Sequence, residues 1–315
     1  MSREELINTT RAILAKAGFD VSSVLSLRSI CFDVVGRKDN TLLIIKILSN
    51  VDAFSRENAE ELKVLAEVLE ASPMLIGERS SSGPLEGGIV YSRFEIPIIS
   101  NETLADHLLE EVPPFIFAAP GGLYVKLDGN LLREIRETRG ISLGVLAETA
   151  GVSRRTIQMY EAGMGAMIDA AMRLEEFLDV PIVEPVNPFV RKNSEGVNEY
   201  EIRGDSLTQS VPLKCLLNLG FSVTPVTRSP FEALTRNPKV VMLTGLGNDE
   251  GKMTQRAIIA SEISKIAHRQ SVVIVEKKRD HDSIKSTAVI SNDELIKMDD
   301  EKDLIDLVME RSRDQ

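Results

Sequence analysis

The stretch from Leu131 to Gly163 constrains the fold of this chain more than any other part of it, because helix starts and stops crowd into it with no strand pattern between them. Leu132 and Ile135 give a first helix its inward face, and Gly140 ends it. Ser142 sits where a side-chain oxygen takes up the free amides of a helix start. Leu143, Leu146 and Ala147 make the next apolar face at helical spacing. Gly151 follows at a tight turn, where a residue without Cβ adopts positive φ at little cost. Ser153 caps a third helix with Ile157 and Tyr160 inward, and Gly163 ends it. Ala170, Ala171, Leu174, Phe177 and Leu178 then supply a helix that closes the core. Residues 129–182 are therefore expected to be an all-α module of four to five helices.

Two short helices joined by a glycine turn, the second opening Ser153-Arg154-Arg155-Thr156, form a helix-turn-helix pattern. The run Leu146 to Glu161 resembles the helix-turn-helix domain of the phage repressor and Cro type, with Ala147, Gly151, Val152 and Ile157 on that framework's spacing. The resemblance implies double-stranded DNA as partner, with the helix that starts at Ser153 in the major groove. Its outward residues are Ser153, Arg154, Arg155, Thr156, Gln158 and Met159. The arginine forks suit guanine O6 and N7, while Ser142, Ser153 and Thr156 suit phosphate oxygens beside helix N-termini. Arg133, Arg136 and Arg139 are expected to add a basic flank. The chain departs from the family twice: Leu143 replaces a common glutamine, and Met164 to Ile168 is unusually apolar, which marks a dimer or interdomain contact.

The flanks read differently. Residues 1–112 alternate helix-like and strand-like stretches: a helix over Glu4 to Lys16, a hairpin of Phe32–Val35 and Leu42–Ile47 around Arg37–Asn40, a helix capped by Ser55, strands at Met74–Ile76 and Ile89–Tyr91, and a helix from Ser100. Residues 113–128 look like a hairpin linker turning at Pro120-Gly121-Gly122, and 183–199 like a second linker, rich in Pro and then Lys192 to Gly196. Residues 200–315 repeat markers of the first segment in the same order. Gly220-Phe221-Ser222-Val223 matches Gly18-Phe19-Asp20-Val21, Val240 to Asn248 matches Leu42 to Asn50, and Ile290 to Leu295 matches Ile99 to Leu104. The expected architecture is α/β plus all-α: two α/β domains, read from these markers as a duplication, flanking the helical module.

The first segment also resembles the nuclease fold shared by archaeal Holliday-junction resolvases and many restriction enzymes. That fold holds Mg²⁺ with an Asp on one strand and Glu-x-Lys on the next. Asp33 and Lys46 match, but Ile44 stands where the glutamate belongs, which removes a metal ligand. The α/β domains are thus expected to be restriction-endonuclease-like but not enzymes, with no catalytic residues, cofactor or metal. Thr244 to Thr254 fits neither phosphate-loop spacing, because Leu246, Glu250 and Met253 stand where Gly or Ser/Thr is needed. Glu276 to His281 reads as a solvent-facing charged loop, and Leu304, Ile305, Leu307 and Val308 give the acidic tail a packing face.

Net charge of −11, from 48 acidic and 37 basic residues, excludes a protein that coats DNA by bulk charge. Two cysteines and three histidines, all far apart, suggest neither a disulfide framework nor a metal cluster. No signal-like or membrane-spanning run occurs, so the expectation is a cytoplasmic protein without a membrane partner. The whole layout resembles a family of archaeal transcriptional regulators in which α/β segments flank a repressor-type helix-turn-helix. It implies a sequence-specific DNA-binding regulator. The mechanism expected is a homodimer on half-sites about 34 Å apart, and the sequence leaves open whether an unidentified small-molecule effector is a further partner. The alternatives are a structure-selective nuclease or DNA-processing factor, and a non-DNA interaction scaffold.

Overall fold

The computed structural model describes residues 2–25, 30–189, 210–247, 250–277 and 281–313. Most of the second linker with the opening of the third segment (190–209), Asn248 and Asp249 of the glycine-containing turn, and Lys278 to Asp280 of the charged loop lie outside these residues. The first segment runs α1 (Arg3–Lys16), β1 (Asp20–Val21), β2 (Val34–Lys38), β3 (Thr41–Asn50), α2 (Arg56–Leu69), β4 (Ser72–Ser80), β5 (Gly83–Pro84), β6 (Ile89–Arg93), β7 (Ile96–Ile99) and α3 (Asn101–Leu109). Next come β8 (Ile116–Ala119), β9 (Gly122–Leu127), α4 (Gly129–Thr138), α5 (Leu143–Ala150), α6 (Arg154–Glu161), β10 (Ala166–Met167), α7 (Ile168–Leu178) and β11 (Val183–Glu184). The third segment runs α8 (Val211–Asn218), β12 (Ser222–Pro225), β13 (Ala233–Arg236), β14 (Val241–Gly247), α9 (Glu250–Ala267), β15 (Gln270–Val275), β16 (Ser283–Ile284), β17 (Thr287–Ser291), α10 (Asn292–Leu295) and α11 (Glu301–Ser312). No helix among the described residues is long and apolar enough to cross a membrane.

Contacts divide the chain into two compact units, one of residues 1–13, 48–53 and 74–190, the other of 14–47, 54–73 and 191–315. In the first unit, β7 lies between β4, to which it is parallel, and β6, to which it is antiparallel. The apolar run Ile89–Tyr91 makes β6 legible, whereas β7 is hidden by Pro97, a residue that demotes any strand reading. β8 extends this sheet alongside β6, and the β8–β9 hairpin then receives β10 and β11 on β9. The apolar run at Met164 to Ile168 is explained here. Ala166 pairs with Val125, and a Cβ on Gly165 would stand 2.6 Å from Cζ of Phe117, so the segment packs on the hairpin.

In the second unit, β1, β2 and β3 form an antiparallel ladder whose hairpin turns at Asp39, which has φ +51°, and Asn40. β12, β13 and β14 form the matching ladder. β15 and β17 then continue parallel, and β16 lies antiparallel on β17. The same local devices stop both opening helices. Gly18 and Gly220 take positive φ, while Phe19 donates its N–H to the Leu14 carbonyl at 3.0 Å and Phe221 to the Leu216 carbonyl at 3.1 Å. Ser100 and Ser291 cap the helices after β7 and β17. Leu304, Ile305 and Val308 of α11 are buried, as their spacing predicts.

The two segments meet reciprocally within this unit. α9 packs on β2, and α2 packs on β13. Glu262 of α9 accepts from the N–H and hydroxyl of Ser23, after β1, at 2.5 and 2.6 Å. Glu61 of α2 accepts from the N–H and hydroxyl of Thr227, after β12, at 3.0 and 2.9 Å. Arg37 donates to the carbonyl of Ala267 that ends α9, and Arg269 to the carbonyl of Leu69 that ends α2. A cationic donor at the last carbonyls of a helix satisfies groups that have no partner inside it.

Candidate nucleic-acid interface

The helical module is held by Leu132, Leu146, Ala147, Ile157, Tyr160, Ala171 and Leu174, packed with Val125 and Leu127 of the hairpin. Phe177, read from spacing as a core residue, is instead 47% exposed, because it lies beyond the face that α7 turns inward. Each short helix carries its own start and stop. Ser142 accepts from the N–H of Val145 at 3.2 Å, and Gly151 at φ +71° closes α5 while Val152 donates to the Ala147 carbonyl at 2.9 Å. Ser153 accepts from the N–H of Thr156 at 3.1 Å, and the two hydroxyls lie 2.9 Å apart.

This geometry fixes which side chains face out. Ile157 and Tyr160 point into the core, so Ser153, Arg154, Arg155, Gln158 and Met159 are exposed along the opposite face, with Thr156 half-buried beside them. Ser142 is exposed at the start of α5. The two arginines differ in placement. Arg154 lies over α5, where a Cβ on Gly144 would come within 3.2 Å of its Nε and Nη2. Its guanidinium therefore crosses the first turn of α5, next to Leu143, where the family commonly has glutamine. From α7, Arg173 passes so close to the turn that a Cβ on Gly151 would stand 2.9 Å from its Nη1.

Two of the three arginines of the expected basic flank are drawn into the module, and the third stays exposed. Arg133 is bonded to Glu137 at 3.0 Å, and Arg136 to Glu161 and Glu137, each at 3.2 Å from Nη2. Glu161 holds the Arg136 guanidinium above its ordinary pKa, chiefly by hydrogen bonding. Arg139 donates to the Leu178 carbonyl at 2.7 Å. Arg136 and Arg139 tie α4 to α6 and α7, and sequence could not distinguish them from a free flank because these partners lie 25 and 39 residues away.

The acid–lysine pair of the first segment is closed. Asp33 and Lys46 are 4% and 8% exposed and lie 3.4 Å apart. Asp33 accepts from the N–H of Ile47 at 2.8 Å, and Lys46 donates to the Ile30 carbonyl at 2.7 Å. Cys31, two residues before Asp33, donates its N–H to the Arg228 carbonyl at 2.8 Å, and burial pushes its thiol up to about 12.

The third segment holds a counterpart that the sequence comparison missed. Asp33 donates its N–H to the carbonyl of Ile45, and Glu232 donates its N–H to that of Thr244. Glu232 also accepts from the N–H of Leu246 at 2.7 Å, as Asp33 does from Ile47. The ladders thus pair Ile44 with Leu243 and Lys46 with Gly245, one residue on from the Met242 and Thr244 that the match of Leu42–Asn50 with Val240–Asn248 implies. The cation comes instead from α9, where Arg256 is bonded to Glu232. Burial raises the Glu232 carboxyl above its usual range despite that arginine. The signal was an acid followed by an apolar strand, Asp33-Val34-Val35 and Glu232-Ala233-Leu234.

Fold and site define a helix-turn-helix protein with an N-terminal α/β segment of nuclease type. Residues 3–114 match the PD-(D/E)XK superfamily domain, and residues 132–184 match a helix-turn-helix family. A protein of Methanocella arvoryzae is 41% identical over 99% of this chain and 97% of its own length. One from Methanospirillum hungatei JF-1 is 36% identical over 98% and 100%, and one from Halorubrum lacusprofundi 39% identical over 99% and 98%. All three bear the name "Putative HTH-type transcriptional regulatory protein". The chain belongs to this archaeal family. No solved structure matches it.

Proposed function

We propose that the chain is a sequence-specific DNA-binding transcriptional regulator that acts as a homodimer, each protomer laying α6 in the major groove of one half-site. The exposed face of Ser153, Arg154, Arg155, Gln158 and Met159 carries the reading. Arg155 and Gln158 suit base edges, and Met159 a thymine methyl. Arg154, lying across the start of α5, suits a phosphate together with Ser142, Ser153 and Thr156. With net charge −11, the rest of the chain repels DNA and leaves affinity to this face. The test is selection of bound sequences from random duplex DNA, with Arg154→Ala/Arg155→Ala alongside. A palindromic motif that the variant loses is the expected result. A motif retained by the variant would remove α6 as the reader, and no enrichment by the natural chain would leave the scaffold reading.

We further propose that residues 200–315 are a divergent copy of residues 1–112, and that neither copy is a working nuclease. Matched ladders, matched helix stops, the reciprocal Glu61 and Glu262 contacts and the matched Asp33 and Glu232 support this reading. Ile44 in place of a carboxylate and the burial of Asp33 and Lys46 argue against metal-assisted cleavage. If Glu61 and Glu262 are equivalent, Glu61→Ala and Glu262→Ala should each lower stability by about 1–2 kcal/mol in urea titration; one costly and one silent would count against equivalence. Mg²⁺- or Mn²⁺-dependent cutting of linear or branched DNA, abolished by Asp33→Ala, would overturn the second half.

A further inference from the structure

The C-terminal turn of α9, the start of β15 and the last turn of α11 line an open cavity of ≈ 350 Å³ in the third segment. Its lining includes three cations, Lys265, Arg269 and Arg313, and three hydroxyls, Ser264, Ser286 and Ser312, with no carboxylate among the described residues. In a chain with 48 acidic residues a lining with three cations and no carboxylate is uncommon, and among the described residues the one carboxylate that reaches these cations, Glu70, lies 3.4 Å from Arg269. Neither Lys265 nor Arg313 forms an ion pair among the described residues.

Arg269 is held but not satisfied. Its Nη2 lies 3.4 Å from both the Leu69 carbonyl and Glu70, and its Nε is buried without a hydrogen-bond partner. The wall behind it is built rather than loose. Ser264, 3% exposed, donates to the Ser261 carbonyl at 2.9 Å and lies 3.1 Å from the Ser271 hydroxyl, and Ser261 meets Ser286 at 2.7 Å.

We propose that this cavity binds a small polyanion carrying phosphate or carboxylate groups. The volume is that of a small-molecule site and too small for a duplex. Guanidinium forks pair with either anion in two-point geometry, and the Lys265 ammonium supplies further donors, while the Ser264 and Ser312 hydroxyls are already given to the Ser261 and Val308 carbonyls. Arg269 also ends α2 through Leu69, so a ligand that draws on its guanidinium acts on the contact between the first and third segments. The site goes beyond DNA reading and is measured without DNA, so its failure would leave that reading untouched.

The experiment is calorimetric titration and thermal unfolding of the full chain with sodium phosphate, pyrophosphate and citrate at constant ionic strength. It compares the natural chain with Lys265→Ala/Arg313→Ala. Both side chains are exposed, so the unliganded unfolding midpoint of the variant should be unchanged. Saturable binding of at least one probe, one per chain, with a raised midpoint and affinity at least about tenfold weaker in the variant, is the expected result. Pyrophosphate against citrate identifies which anion the cavity prefers. Equal binding by the variant, a midpoint shift reproduced by chloride alone, or no saturable binding of any probe would overturn the proposal. So would a variant that loses DNA affinity without any added anion, because the cations would then serve the DNA backbone.

Discussion

Two charged clusters in this molecule invite a functional reading, and they differ in exposure. Arg154 and Arg155 stand in water at the start of α6, whereas Asp33 and Lys46 are sealed in the first α/β segment. A cation that waits in solvent keeps its interaction energy for a partner. A buried pair has lost its hydration and depends on its internal partners. Both clusters match a known pattern in residue type, so type alone does not separate a site from its remnant. Access does.

The comparison breaks most visibly on the exposed side. Arg154→Ala/Arg155→Ala should weaken specific DNA binding by about 10²-fold or more, from ~1–3 kcal/mol for the Arg155 base contact and a lost phosphate contact at Arg154, and leave urea stability unchanged. Fluorescence anisotropy on the selected motif measures it. Arg133→Ala should change affinity by less than about threefold, because that side chain is bonded to Glu137. A large effect there would mean the α4 arginines leave their partners on DNA.

On the buried side the sign reverses. Asp33→Ala should cost about 3–5 kcal/mol of stability, since it leaves Lys46 charged in the interior and the N–H of Ile47 without its acceptor. Asp33→Leu with Lys46→Met should recover much of that loss. DNA affinity of the folded protein should not move in either variant, and chemical denaturation beside anisotropy separates the two effects. If Asp33→Ala left stability intact but removed an activity, the pair would be a site after all.

How much of this was legible from sequence follows the range of the interactions. The caps at Ser142, Ser153, Ser55 and Ser100, and the stop at Gly151, were readable because a cap is decided within four residues. β7 was hidden by Pro97, and Phe177 was misplaced because spacing marks a stripe but not its edge. The partners of Arg136 and Arg139 are set by tertiary packing, so a free flank and a paired one look alike in a list of residues. Glu232 was missed because strands of similar composition align equally well one residue out, and only the hydrogen-bond ladder fixes the register.

A third pair lies between the two extremes and tests the exposure argument by pH. The Arg311 guanidinium, bonded to Glu294 at 2.7 Å, holds that carboxyl at about 2, well below the usual 4.5. The native state therefore favours the ionised form. The stabilisation is fully present above about pH 4.5 and is lost as the pH falls through the window from there to about 2. Unfolding midpoints should fall across that window, and Glu294→Gln should flatten the fall. Glu294 also completes the capping box with Ser291, so the same substitution should lower the midpoint at neutral pH.

The smallest expected effect is the sharpest on the exposed side. Gly144 is the second residue of α5, where alanine limits the unfolded chain and favours the helix by up to about 1 kcal/mol over glycine. Alanine there would come within 3.2 Å of the Arg154 guanidinium, the far end of an exposed and flexible side chain that can move aside. Gly144→Ala should therefore raise stability by about 0.5–1 kcal/mol and weaken DNA binding severalfold. Because the displaced contact is to phosphate, the loss should be similar for every sequence in the selected set and should reduce the salt slope. A loss confined to one base position would instead make Arg154 a base reader, and unchanged affinity would mean that its seat over α5 is irrelevant to DNA.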